Sequence, residues 1–295
     1  MISTVVYAIV VLSVTGAVAA IILYFVAQRF RVYEDPRIDK VTDKLPGANC
    51  GGCGFAGCRA LAEAIVKSEN LKGKFCPVGG NRVMQKVAEV MGLTAGENEP
   101  MIAVVRCNGG ECHSPKKADY DGLRDCVSAN MNIAGRGGCA YGCLGFGNCV
   151  KACRFDAIKL NAHTALPEVD ENKCVACGAC AKACPRNIIE LRFKGKSNKR
   201  VFVGCVNKEK GVEAKRNCSV ACIGCGKCAK VCPFEAISIE DNLSYIDFTK
   251  CRLCRKCVDV CPTGAIHAMN FPEKQSPSSN KASDNHSEAD NTTKS

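Results

Sequence analysis

The chain has no tryptophan and only four histidines among its 295 residues. His113, His163 and His267 are isolated, and His286 lies in a tail without Leu, Ile or Val. So few imidazoles support no Ser/His/Asp arrangement, and the three internal ones read as surface or hydrogen-bonded residues. No strand-GxGxxG-helix unit is present, and Gly224 to Lys227 lacks the spacing and the Ser/Thr of a phosphate loop. Nothing in the chain points to catalysis on an organic substrate.

Charge is also missing, completely, from Ile2 to Ala27. As a helix rising about 1.5 Å per residue, such a run spans the hydrocarbon core of a bilayer. Ser3, Thr4, Ser13 and Thr15 are tolerable because their hydroxyls can bond to the helix backbone. Arg29, Arg31, Arg37 and Lys40 follow, so the positive-inside rule puts the bulk of the chain in the cytoplasm. A cleaved signal peptide ending near Ala17 to Ala19 is the weaker reading. It would need a basic segment before the apolar run, and the run continues past that point. The expectation is a single-pass anchor in the cell (inner) membrane. With no ionisable side chain inside it except Tyr7 and Tyr24, one helix makes no ion path.

Cysteine, by contrast, is abundant: 25 residues. They cluster at metal-ligand spacing in a long chain, which excludes a small secreted disulfide scaffold and calls for a reducing compartment. The formal charge of +11 invites a nucleic-acid reading. It is discounted, because an oxidised four-thiolate cubane carries about −2 and five of them would nearly cancel the excess. Lys227, Lys230, Arg252, Arg255 and Lys256, set between cysteines, are then counter-charge or a docking face for an acidic electron carrier.

The densest stretch reads Cys218-SVA-Cys222-IG-Cys225-GK-Cys228-AKV-Cys232-Pro233, then Cys251-RL-Cys254-RK-Cys257-VDV-Cys261-Pro262. Two CxxCxxCxxxCP runs in tandem resemble the bacterial two-cluster ferredoxins. Three cysteines at intervals of three wrap one cubane, and the fourth, a turn further on, reaches the other. Cys222, Cys225, Cys228 and Cys261 are thus expected at one [4Fe–4S] cluster, and Cys251, Cys254, Cys257 and Cys232 at its neighbour. Structural zinc uses two separated CxxC pairs and fits this spacing poorly.

Residues 139–185 repeat the pattern. Cys139 matches Cys218, Cys143 matches Cys222, Cys149 matches Cys228 and Cys153 matches Cys232, and Cys174, Cys177, Cys180 and Cys184-Pro185 follow. Two departures stand out: Arg154 replaces the proline, and Phe146 replaces the middle cysteine. Cys174, Cys177, Cys180 and Cys153 keep a full set. Cys143, Cys149 and Cys184 lack a fourth ligand. Three outcomes are open: a [3Fe–4S] cluster, Cys139 as substitute ligand, or an empty site filled by Phe146.

Ahead of these units stands Cys50-GG-Cys53-GFAG-Cys58 with Cys76-Pro77 beyond it. Ala60, Leu61, Ala64 and Ile65 recur at helical spacing, and a second helix is expected from Asn81 to Met91, ending at Gly92. Anchor, four-cysteine domain and ferredoxin-like runs, in that order, resemble the B subunit of the Rnf-type ion-translocating ferredoxin:NAD oxidoreductases, in a long form with two ferredoxin-like units. The resemblance covers residues 1 to about 270. It implies an electron-transfer subunit of a translocase, with about four or five [4Fe–4S] clusters. Reduced ferredoxin would be the donor, and membrane and flavin-containing subunits the partners. Two other classes fit less well: a tethered subunit of another dehydrogenase or hydrogenase, and a redox or iron sensor.

The expected fold is α+β: a transmembrane anchor (1–28), a four-cysteine domain (29–95), two ferredoxin-like units of βαββαβ type (96–200 and 201–270) and a disordered tail (271–295). Strands are expected at Met101 to Val105 and Val201 to Val203. Six cysteines are left over: Cys107, Cys112, Cys126, Cys139, Cys205 and Cys218. Each alone reads as a buried small hydrophobe. Their repetition, Cys107 with Cys205 and Cys139 with Cys218, equally supports a further metal site.

Overall fold

The uncharged N-terminal run forms one helix, α1 (Ile2–Arg29), in the computed structural model, which describes residues 2–29, 34–133 and 137–272. Val6–Arg29 is apolar over 24 residues, about 36 Å of helix, and none of it is buried against the rest of the chain. That is long enough to cross a bilayer core of about 30 Å. Thr15 returns its hydroxyl to the Val11 and Leu12 carbonyls at 2.9 and 3.0 Å, which removes the cost of placing it in an apolar helix.

Three helices follow: α2 (Pro36–Lys44), α3 (Cys58–Ser68) and α4 (Gly80–Met91). Asp35 caps α2 by accepting the Arg37 backbone N–H at 2.8 Å, with Pro36 in the first turn, where its missing N–H costs nothing. α4 stops at Gly92, whose φ of 66° closes the helix in the left-handed region. Val41, Leu61, Ile65, Met84 and Val87 from the three helices form one buried core that includes Cys76, and Cys53 and Cys58 pack on its rim.

The remainder is two copies of one plan. In the first, β1 (Met101–Val105) leads through short helices α5 (Gly110–His113), α6 (Cys126–Ile133) and α7 (Asn148–Lys151) to the hairpin β2 (Ile158–Leu160) and β3 (Pro167–Val169), then α8 (Ala179–Lys182) and β4 (Ile189–Phe193). In the second, β5 (Arg200–Val203) leads through α9 (Gly211–Asn217) and α10 (Lys227–Lys230) to β6 (Ile237–Glu240), β7 (Leu243–Ile246), α11 (Lys256–Asp259) and β8 (Ile266–Met269). The first strand of each unit pairs antiparallel with the last, Val105 opposite Ile189 and Val203 opposite Ile266. The middle two strands pair with each other. Both expected strands are present; α5 and α6 carry no helical periodicity that the sequence displays.

Charged side chains join the units. Arg106 donates to the Val203 and Cys205 carbonyls at 3.4 Å each and lies over the Tyr245 ring at 5.0 Å. Arg192, 1% exposed, pairs with Glu190 and faces the Tyr245 and Phe248 rings at 5.2 and 5.5 Å. Glu171 accepts from Arg200 and from Asn270.

One expectation holds only in part in this region. His267 is half-buried, and its Nε2 is enclosed without a hydrogen-bond partner among the described residues. It stands opposite Phe202 in the β5–β8 ladder, the rings 5.8 Å apart, and burial holds its pKa down. It behaves as a neutral aromatic filler. The tail expected to be disordered lies, from residue 273 onward, outside the described residues.

Candidate iron–sulfur centres

Each cysteine loop of the two units turns its backbone the same way at three places. The residue before the second position of the motif has positive φ: Gly145 at 75°, Ala176 at 55°, Gly224 at 63° and Leu253 at 59°. So does the residue two before the third cysteine: Gly147 at 76°, Gly178 at 75°, Gly226 at 76° and Arg255 at 63°. So does the third residue after the last cysteine: Asp156, Asn187, Glu235 and Gly264, at 48° to 66°. Left-handed turns within such a loop curl successive N–H groups toward one centre, the arrangement that receives an anion. Ala, Leu and Arg adopt it here at a steric cost that a plain surface turn would not require. The loop with Phe146 keeps the geometry, so it is folded as a cluster loop although it lacks the middle cysteine.

These loops collect the cysteines into sets. Cys222, Cys225, Cys228 and Cys261 line one cavity of about 20 Å³, and Cys232, Cys251, Cys254 and Cys257 another of about 10 Å³. Both match the groups expected from the spacing. Cys153, Cys174, Cys177 and Cys180 are close enough to feel one another's charge. Cys76 is in the same relation to Cys53 and Cys58. Among the described residues no three His, Cys, Asp or Glu groups converge tightly enough for a single metal ion.

The donor set fits such a cluster chemically. Burial pushes the Cys143 thiol up to about 12, with Cys107, Cys149 and Cys126 adding repulsion. Burial does the same to Cys180 and Cys257, also up to about 12, with repulsion from neighbouring cysteines. Such thiols would ionise only with cations in their midst, which the iron of a cluster would supply. N–H donors to sulfur complete the fit: Gly79 to Cys76 and Ala157 to Cys153, each at 3.4 Å. The Ser244 hydroxyl lies 3.0 Å from Cys228 Sγ.

At the site with the missing ligand the fold brings up a cysteine that the spacing does not offer. Cys126 lines a cavity of about 20 Å³ together with Cys143, Cys149 and Cys184. Cys149 feels the charges of Cys126 and Cys184. Asn148 fixes the newcomer: its Oδ1 accepts the Cys126 N–H at 3.0 Å while its amide donates to Asp125 at 2.6 Å. Phe146 does not line this cavity; its ring packs on Tyr120, the centroids 5.5 Å apart. Cys139, the substitute ligand in one of the three open outcomes, stands with Cys107, Cys205 and Cys218 on a different cavity. Cys112 is exposed and directed at the His163 carbonyl.

The four-cysteine domain touches the first unit directly. Gly52 lies against Cys177, and Cys50 is near enough to add its charge to that thiol. Arg154, in the place of the motif proline, donates to the Ala48 and Asn49 carbonyls at 3.4 Å.

Doubled ferredoxin-type loops around sets of cysteines define an iron–sulfur protein of the dicluster class. The 4Fe-4S dicluster domain family matches residues 139–188, 173–236 and 221–265, and an Fe-S cluster family matches residues 45–78. The chain is 46% identical over 82% of its length to the B subunit of the Na(+)-translocating ferredoxin:NAD(+) oxidoreductase complex of Acetobacterium woodii, covering 71% of that protein. It is 41% identical over 96% of its length to the proton-translocating counterpart of Clostridium ljungdahlii, covering 99% of it. It is also 41% identical to the B subunit of the ion-translocating oxidoreductase complex of Methanosarcina acetivorans, over 84% of this chain and 92% of that one. The chain belongs to the family of B subunits of Rnf-type ion-translocating oxidoreductase complexes.

Proposed function

We propose that this chain is the membrane-anchored electron-transfer subunit of an ion-translocating ferredoxin:NAD oxidoreductase complex, relaying electrons from reduced ferredoxin to flavin-containing membrane subunits. The observation that carries the reading is the gathering of cysteine sets in both repeat units and in the four-cysteine domain that follows α1, with the four-cysteine domain against the first unit. When bound, [4Fe–4S] clusters take up and release single electrons with little rearrangement. Everything else is the work of the polypeptide.

Five sets of ligands follow: Cys50, Cys53, Cys58 and Cys76; Cys153, Cys174, Cys177 and Cys180; Cys126, Cys143, Cys149 and Cys184; Cys222, Cys225, Cys228 and Cys261; and Cys232, Cys251, Cys254 and Cys257. The strand pairing of each unit supports a ferredoxin-like βαββαβ fold for both. The backbone N–H groups turned toward the sulfurs favour the reduced, more negative state, while burial opposes it; together they set the potentials. Arg106 and Arg192 fix the two units against each other and so fix the distance between their sites.

α1 holds the assembly at the inner face of the membrane with the cysteine domains in the cytoplasm, a side supported by Arg29, Arg31 and Arg37. Relatives at 46% and 41% identity carry names with sodium and with proton translocation. The choice of ion then belongs to other subunits, since α1 offers no carboxylate. Anaerobic purification of the full chain, followed by iron and sulfide analysis and an EPR redox titration, tests the proposal. Zinc in place of iron, or no reduction by a low-potential ferredoxin, overturns it.

A further inference from the structure

We infer that Cys107, Cys139, Cys205 and Cys218 together hold a further [4Fe–4S] cluster, seated between the two repeat units. The inference goes beyond the proposed function and rests on it only in treating the chain as an iron–sulfur protein.

The repeat itself builds the site. Cys107 follows β1 as Cys205 follows β5, and Cys139 opens the first cysteine run as Cys218 opens the second. Each unit therefore contributes an equivalent pair of thiols, and the two pairs meet across the interface. The four line one cavity of about 50 Å³, larger on the same measure than the 10 to 20 Å³ cavities of the sites with ferredoxin spacing. They are mutually close: Cys218 feels the charges of Cys107 and Cys139, and Cys139 feels that of Cys107. Cys205 feels Cys139 as well. An isolated buried cysteine is commonplace as a small hydrophobe; four facing one cavity from two units are not explained that way.

The sulfurs also have the donors that a cluster needs. The Cys143 N–H points at Cys107 Sγ at 3.4 Å. Asn207 serves two ligands: its backbone N–H reaches Cys205 Sγ and its side-chain amide reaches Cys139 Sγ, both at 3.4 Å. Asn207 is 1% exposed, and it is held in place by Glu209, whose N–H it accepts at 2.7 Å and to whose carboxylate its amide donates at 3.1 Å. Gly109 leaves the space: a methyl group there would stand 3.0 Å from Cys218 Sγ. Cys143 of one neighbouring site feels the charge of Cys107, and Cys205 feels that of Cys222 of another, so this position bridges the units. With it, 24 of the 25 cysteines are ligands, and exposed Cys112 is the one left over.

The test is iron and acid-labile sulfide per chain in the full-length protein, reconstituted anaerobically, with the [4Fe–4S] area of its Mössbauer spectrum. The expected wild-type content is about 24 of each, six four-iron clusters. Cys139→Ala/Cys218→Ala is expected to lose about four of each, with the [4Fe–4S] area falling by about a sixth. Cys112→Ala is expected to change nothing. A wild-type content of about 20, an unchanged content in the double variant, or one zinc per chain that the double variant releases overturns the inference and leaves the proposed function standing. A wild-type chain that takes up little iron overturns the proposed function instead. The wild-type count decides the matter even if the double variant does not fold.

Discussion

Gly52 and Cys177 are in backbone contact: a methyl group on Gly52 would lie 2.8 Å from the Cys177 carbonyl oxygen and 2.9 Å from its Cα. Those atoms are main chain and cannot swing aside. The loop of the four-cysteine domain and a loop of the first unit therefore approach as closely as two backbones can, with Arg154 tying the same loop from the other side. Gly52→Val is expected to cost about 1–3 kcal/mol of this docking. Iron content should stay at the wild-type level, while cleavage by a protease in the segment 93–100, between α4 and β1, should speed up. Unchanged cleavage would show that the contact does not hold the domains together.

Cys126 and Phe146 yield a second prediction. If Cys126 is the fourth ligand beside Cys143, Cys149 and Cys184, then Cys126→Ala should leave a three-thiolate site. The oxidised variant should show a [3Fe–4S] EPR signal that the wild type lacks, with about one iron fewer per chain. Adding Phe146→Cys should abolish that signal, because Gly145 and Gly147 already hold the loop in the conformation of its cysteine-bearing counterpart around Cys225. A [3Fe–4S] signal in the wild type itself would return the site to three ligands.

The contrast between these residues shows what a sequence can carry. Ferredoxin-type ligands sit at fixed short intervals because one loop must wrap one cube, so Cys222 to Cys261 can be grouped from spacing alone. Cys126 reaches its set from the start of a separate helix, α6, held by Asn148, and no local pattern encodes that approach. Spacing leaves the place of Cys139 open for the same reason. It is near Cys143 in sequence, yet the fold turns it toward thiols from the second unit. The partial burial of His267 is equally hidden, because isolation in sequence says nothing about a ladder partner such as Phe202. The anchor and the helices of the four-cysteine domain are legible because periodicity and charge are properties of the segment itself.

Arg192 carries a third prediction. Its guanidinium is buried among the Phe202, Tyr245 and Phe248 rings, with Glu190 as its counter-charge, and its charge also lies near Cys251. Arg192→Ala leaves Glu190 to Arg106 alone, at 3.3 Å, and opens a void between the units. Removing one member of a buried pair costs about 3–5 kcal/mol. Arg192→Met with Glu190→Gln removes the charge but keeps most of the volume, and should cost clearly less. Thermal unfolding of the three proteins checks this. Equal losses in both variants would mean that the ion pair is not what the interface depends on.

Glu171 makes the interface sensitive to acid. Burial alone would raise its pKa, but hydrogen bonds from Arg200 and Asn270, with the charges of Arg200 and Lys194, outweigh it and hold the carboxyl below its ordinary range. A carboxyl with a depressed folded pKa stabilises the folded state above its unfolded value of about 4.3. That contribution is lost as the pH falls through the lower folded value. Glu171→Gln removes it at every pH. The variant should unfold at a lower temperature than wild type at pH 7, by about 2–4 °C for each kcal/mol lost. The gap between the two should narrow as the pH is taken from 5 toward 3. Comparing the pair at each pH cancels the acid lability of the iron–sulfur centres, which both proteins share. A gap that stays constant across that range would mean that Glu171 contributes through packing and hydrogen bonds that survive its protonation, not through its charge.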